Sequence, residues 1–203
     1  MTIDPAIRDV VEVYRALTGI VTPRPIAWVS TVDRQGLVNL APFSFFNVFG
    51  SAPPVVVFSP TLRRDRSKKD TLLNIEETGE FVVNAAVETV IEALNLTAAE
   101  LPRGQSEPDF AGLVMVPSER VKPPRVAISP AHLECRLIQV LPVGNQPLSA
   151  NLVIGEVVLI HLDDALLNAE GIVDPGKLKS VGRLNGDSYI RTTDIFDLAR
   201  PVL

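Results

Sequence analysis

The chain is poor in the residues that usually announce chemistry. It has one cysteine, Cys135, and two histidines, His132 and His161, among 203 residues. One cysteine cannot close an intrachain disulfide or form a thiol redox pair, so Cys135 reads as a small apolar residue on a buried strand. Two histidines without companions do not make a His/Cys metal site, and each reads as satisfying a local hydrogen bond. No apolar run approaches the ~18 residues that a membrane span requires. The start, MTIDPAIRDVVEV, lacks the basic-then-apolar order of a signal peptide. A cytoplasmic protein with no membrane partner is expected.

Positive charge is also in deficit, with 19 Lys and Arg against 24 Asp and Glu and a net charge of −5. That argues against a general nucleic-acid binder, whose affinity comes from neutralising phosphates. A small anionic ligand is still allowed, since it needs only a local basic pocket. No G-x-G-x-x-G follows a strand, and neither a P-loop nor a G-x-S-x-G elbow is present. Nor is there a convincing Ser/His/Asp set. What remains is chemistry carried by a cofactor, with the protein supplying position and electrostatics. Hydrophobic content of 46% with 21% charged residues is that of a globular chain. The length favours one domain over residues 1–203.

What is present concentrates between Arg24 and Pro60, RPIAWVSTVDRQGLVNLAPFSFFNVFGSAPPVVVFSP. Ile26 to Val32 and Val55 to Ser59 are β-branched and short, and read as strands buried on both faces. Asp33-Arg34-Gln35-Gly36 reads as a hairpin turn, with Gly36 supplying a positive φ. Asn39, Ser44 and Asn47 have two readings. They can serve turn chemistry at strand ends, or they can join Ser30, Thr31 and Ser59 in lining a polar groove.

Asp4 to Leu17 carries Ile7, Val10, Val11 and Tyr14 at helical spacing, a short amphipathic helix that Gly19 should stop. RRDRSKK at Arg63 to Lys69 places five basic residues in seven positions. It is either a solvated face or, just ahead of a helix start with free N–H groups, half of a phosphate cradle. Ser67 and Asp70 have capping-box spacing, and Asp70 or Thr71 could also be the cap before Leu72, Leu73 and Ile75. Phe81 to Ala85 reads as a strand, Val87 to Leu96 as a helix, and Thr97 to Asp109 as a polar loop, either lid or connector. Leu113 to Val116, Ala131 to Leu141 and Leu152 to Leu162 supply further strands, the last with Glu156 and His161 on opposite faces by parity.

RPIAWVSTVDRQGLVNLAPFSFFN, then SAPPVVVFS, KDT at Lys69 to Thr71, GEFVVN, HLEC, LVIGEVV and VGRLNGDSY follow one another in this order. In that succession the chain resembles the FMN-binding split-barrel family of flavin reductases and flavoredoxins, over roughly residues 14 to 190. The resemblance implies a mostly β fold, a Greek-key split β-barrel with peripheral α-helices, assembled as a homodimer. It implies FMN, with FAD an alternative, and NADH or NADPH as reductant. It assigns Ser30, Thr31 and backbone groups around Phe45 to Asn47 to the polar edge of the flavin ring, with Trp28 and Phe46 packing around it, and counts Asn39 and Ser44 among the cofactor-binding residues. Ser59, Arg63, Lys69, Asp70 and Thr71 would hold the ribityl and phosphate. Arg183, with Asn185 and Tyr189, resembles a segment near the flavin, its own or a partner's; a surface tail is the other reading. Three functions stay open: an NAD(P)H-dependent flavin reductase serving a partner oxygenase, a flavoredoxin-like carrier for other redox proteins, and a non-catalytic flavin-binding or dimerisation module.

Overall fold

β-branched and aromatic runs pack well on a pleated surface, and those runs become the strands of a barrel. A computed structural model describes residues 1–201; Val202 and Leu203, the end of the expected domain, lie outside the described residues. The strands are β1 (Ala27–Val32), β2 (Val38–Phe43), β3 (Phe46–Ser51), β4 (Pro54–Phe58), β5 (Glu80–Ala85), β6 (Met115–Val116), β7 (Arg125–Val126), β8 (Ala131–Val143), β9 (Ala150–Leu162), β10 (Val181–Arg183) and β11 (Tyr189–Arg191). The helices are α1 (Val10–Ile20), α2 (Asp70–Thr78), α3 (Ile91–Leu96), α4 (Glu107–Phe110) and α5 (Pro175–Leu178).

The main sheet is antiparallel, with seven strands in the order β2-β1-β5-β8-β9-β4-β3. Its two outermost strands, β2 and β3, are consecutive in the chain and are joined only by Ser44 and Phe45. The sheet therefore curls until its edges meet at that corner without a ladder between them. This is the split β-barrel, mostly β with peripheral helices.

The β1–β2 turn forms as its residues demand. Asp33 Oδ1 accepts from Gln35 N and Leu37 N at 2.9 Å, and Gly36 sits at φ +86°. Along β1 the side chains alternate between two cores. Ala27 and Val29 enter the barrel with Phe43, Phe58 and Phe81, sealed by Leu72 and Ile75 of α2 and by the buried Cys135. Ile26 and Trp28 face the other way, against Leu40, Val90, Leu94 and Val126. Fully burying one such side chain contributes about 1.5–3 kcal/mol.

Polar groups on the outer sheet face clip the segment around β6 and β7 in place. Glu134 is wholly buried there, accepting from Glu119 N at 2.8 Å, Arg120 N at 2.6 Å and His161 Nε2 at 2.6 Å. Asn84 Oδ1 accepts from Val126 N at 2.8 Å, and His132 Nε2 meets Val126 O at 3.0 Å.

Three expectations need correction. α1 runs through Gly19 to Ile20 and leaves Val10, Val11, Tyr14, Leu17 and Ile20 exposed. α2 is capped by neither Ser67, Asp70 nor Thr71; Lys69 holds the N-cap position without a side-chain cap bond. Strict alternation along β9 fails because Val158 is a bulge, skipped between the pairs Glu134↔Leu159 and Cys135↔Val157. Glu156 pairs with Arg136 and His161 with His132, so both fall on one face. Among the described residues no helix is long and apolar enough to cross a membrane.

Candidate functional site

A cavity of about 210 Å³ opens where the start of α2 faces β2. Asn39, Arg63, Lys69, Asp70 and Thr71 line it, and Ala41 to Phe43 form one wall. The segment Thr97 to Leu101 and Glu107 form the other. Five of the residues expected to bind a cofactor thus meet in one place.

The start of α2 supplies the first donors. Leu72 N and Leu73 N bond back to Lys69 O at 3.0 and 3.1 Å, but Asp70 N and Thr71 N have no hydrogen-bond partner among the described residues. Thr71 is buried beside the cavity, so its first-turn N–H is available to an acceptor there. The positive end of the helix dipole favours an anionic one. Thr71 Oγ1 accepts from Asn39 Nδ2 at 2.9 Å, which fixes β2 against the helix start.

The basic turn supplies the charge. Arg63 Nη2 pairs with Asp70 Oδ2 at 2.8 Å, and Lys68 pairs with Glu76 at 2.7 Å. Lys69 makes no salt bridge among the described residues. Burial pushes its pKa below the ordinary lysine value, partly opposed by the nearby Glu100. A desolvated, unpaired ammonium beside free N–H groups fits an anion such as the FMN phosphate.

The segment from Thr97 to Asp109 is pinned at both ends. Trp28 Nε1 donates to the buried Thr97 Oγ1 at 2.9 Å, and Glu107 Oε2 accepts from Leu40 N at 3.0 Å. Between them Arg103 approaches Asp70 Oδ1 at 3.7 Å. Burial raises the pKa of Glu107, and the hydrogen bond from Leu40 opposes that rise. Glu107 lay outside the expected site, because a glutamate between two prolines carries no signal of its partner on β2.

Four expected ligand residues lie elsewhere. Trp28 is fully buried behind Thr97, with no face for a ring. Ser30 Oγ donates to Pro124 O at 2.5 Å and accepts from Asn84 Nδ2 at 3.3 Å, clipping the β7 segment. Thr31 Oγ1 accepts from Asn74 Nδ2 at 3.1 Å inside the β1–α2 contact. Ser59 Oγ accepts from Asn151 N at 3.2 Å. These four belong to the packing that holds the cavity, because β1 is covered on both faces and β4 pairs on both edges.

Ser44, Phe45, Phe46 and Asn47 form the corner beyond Phe43, where the barrel splits. Phe45 is exposed and stands edge-on to Tyr14 of α1, with ring centroids 6.3 Å apart. Phe46 packs against the barrel core, and Asn47 Oδ1 accepts from Val48 N at 2.8 Å. Arg183 lies 4.4 Å over the Tyr189 ring, and its backbone pairs with that of Arg24. A larger groove of about 830 Å³ runs beside Arg34 and Glu77, but those two ions already pair with each other at 3.2 Å.

The fold is that of the split-barrel flavin reductases. Residues 20–181 match the flavin reductase like domain, and the chain belongs to that family, among the flavin-binding oxidoreductases. It is 42% identical over 195 residues to an uncharacterized protein of Halalkalibacterium halodurans, covering 95% of this chain and 92% of that one. Among solved structures it resembles nitrilotriacetate monooxygenase component B from Bacillus cereus, with 35% identity, TM-score 0.92 and 98% of each chain covered. It also resembles the Pseudomonas fluorescens 2-nitrobenzoate 2-nitroreductase, with 32% identity, TM-score 0.86, and 99% of this chain and 96% of that one covered.

Proposed function

We propose that this protein is a cytoplasmic, single-domain NAD(P)H-dependent flavin reductase that binds FMN at the cavity between α2 and β2. The observation that carries the reading is the pair of N–H groups at Asp70 and Thr71, unpartnered among the described residues, beside Lys69, which is likewise unpaired among them. Lys69, Arg63 and those amides would hold the phosphate, and Asn39 and Thr71 would border the sugar chain. When bound, the flavin supplies the chemistry by accepting hydride from a nicotinamide at N5. The chain's own part is to orient the ring and exclude water, which explains why no acid–base constellation is needed.

A cavity of about 210 Å³ suits the phosphate and sugar end alone. The ring would then continue over the Ser44 to Asn47 corner, where Phe45, Val48 and Phe49 are exposed. Together with the bare apolar face of α1, this favours a homodimer in which a second copy covers the ring. A partner oxygenase as the consumer of reduced flavin is favoured by the likeness to a monooxygenase component B.

The likeness to a nitroreductase favours a second reading, in which the flavin stays bound and passes electrons to a small acceptor. Absorbance of the FMN-loaded protein during anaerobic addition of NADH or NADPH tests both. Prompt bleaching with release of reduced flavin supports the reductase, and bleaching without release supports the bound-flavin reading. Bands that persist until dithionite is added refute nucleotide dependence.

A further inference from the structure

Arg24 is 5% exposed, yet among the described residues no carboxylate pairs with its guanidinium. Only oxygens of neutral groups receive it. Nη1 donates to Thr18 O at 2.7 Å and Val21 O at 3.0 Å, Nη2 to Leu184 O at 2.9 Å, and Nε approaches Ser44 Oγ at 3.4 Å. Thr18 is in the last turn of α1 and Val21 is its C-cap, so their carbonyls form the negative end of that helix. The backbone of Arg24 also bonds both ways to Arg183, at 3.0 and 2.8 Å. One side chain thereby joins α1, the β10 segment and the corner between β2 and β3.

A neutral amide could tie carbonyls together, whereas a buried cation without a counter-ion is costly to desolvate. Burial, with the neighbouring Arg183, pushes the Arg24 guanidinium below its ordinary value, but arginine remains charged at neutral pH. Ser44, just beyond the cavity wall at Phe43, is where that charge meets the corner over which the ring would extend. Its Oγ accepts from Arg24 and donates to no group among the described residues, so its proton is free for a ligand acceptor. The next residue, Phe45, rests on Tyr14 of α1, the helix whose end Arg24 holds.

We propose that Arg24 is a positioning residue for the ring end of the flavin site. It fixes Ser44 as a hydrogen-bond donor to the ring's polar edge, and its positive charge, held by carbonyls but paired with no carboxylate among the described residues, favours the reduced cofactor over the oxidised one. The inference rests on the flavin reading above. Reduction makes the ring richer in electrons, and a fixed cation in a water-poor setting interacts more strongly with that form.

The test uses the full chain and measures dissociation constants for oxidised and for dithionite-reduced FMN under anaerobic conditions. Arg24→Gln should weaken reduced FMN at least tenfold more than oxidised FMN, equivalent to a fall of about 30 mV in a two-electron midpoint potential. Arg24→Lys should restore most of the ratio by keeping the charge. Ser44→Ala should move the ratio the same way by less. An arginine that only holds the fold would weaken both forms together, so an unchanged ratio in folded Arg24→Gln overturns the proposal. Should Arg24→Gln not fold by circular dichroism, an unchanged ratio in Ser44→Ala overturns it instead. Wild-type protein that takes up no FMN refutes the flavin reading itself, a distinguishable failure.

Discussion

Asp70 Oδ2 accepts from Arg63 Nη2 at 2.8 Å, while Arg103 stands 3.7 Å from the other carboxylate oxygen. The first residue of α2 thus occupies two arginines, while Lys69 beside it has no salt bridge among the described residues. Lys69→Ala should therefore loosen FMN by about 1.5–3 kcal/mol, the worth of a charged hydrogen bond, which is roughly tenfold or more in Kd. Thermal stability should hardly change, since the lysine ammonium bonds no group among the described residues. Fluorescence titration with FMN decides, and an unaltered Kd removes Lys69 from the site.

Ser30 separates the two roles open to the β1 hydroxyls. Ser30→Ala leaves the half-buried Pro124 O without its donor, and loss of such a hydrogen bond costs about 0.5–1.5 kcal/mol. Urea unfolding should show that destabilisation while FMN affinity stays within a factor of about two. A large loss of FMN affinity with normal stability would return Ser30 to the ligand.

Glu107 presents a partly desolvated carboxylate to a cavity built for an anion. Glu107→Gln keeps an acceptor for Leu40 N and removes the negative charge. FMN should bind several-fold more tightly, with stability equal or higher. Glu107→Ala strands Leu40 N and should cost about 1–3 kcal/mol. Calorimetric titration of both variants checks the pair, and weaker binding by the glutamine variant refutes the electrostatic argument.

Acid should destabilise the protein in two windows. Burial holds the pKa of His132 below 6.5, so between its folded value and 6.5 the unfolded chain takes up a proton that the native imidazole refuses. Stability therefore falls as pH drops below about 6.5. For Glu134, burial opposes ionisation, but the bonds from Glu119, His161 and Arg120 prevail and hold its pKa below 4.5, which opens a second decline below that pH. Urea midpoints at pH 8, 5.5 and 4 should fall in that order. In His132→Gln the first decline should disappear, and its persistence would assign it to another group.

Gly155 pairs with Leu137 on β8, and a Cβ there would lie 2.3 Å from Phe81 Cζ. Phe81 is fully buried, so Gly155→Ala must shift a packed ring. A loss of about 1–3 kcal/mol is expected, measured by thermal or urea unfolding. Wild-type stability would mean that the ring has room to move.

The strands were legible where residue type alone decides. Ile26 to Val32, Val55 to Ser59 and Phe81 to Ala85 have little choice but to extend, although Val55 and Val57 leave one face of theirs only half-buried, and Asp33 to Gly36 carry their turn chemistry with them. The basic run ahead of Leu72 likewise marked the candidate cradle, because a helix start and nearby charge are local features. The faces of β9 were not legible, because the bulge at Val158 is fixed by pairing with β8. Nor was the fate of Ser30, whose acceptor lies 94 residues on, at Pro124.

The sequence by itself determined which segments extend, that a helix follows the basic run ending at Lys69, and the ordered motifs that define the family. The tertiary structure decided which polar groups face a cavity and which serve the core. A hydroxyl on β1 has the same chemistry in either place, and only the strands and straps brought against it determine its partner. The same holds for Arg24: its charge is written in the sequence, but only the fold seats it between the carbonyls at the end of α1 and that of Leu184, 160 residues on, with no carboxylate beside it among the described residues.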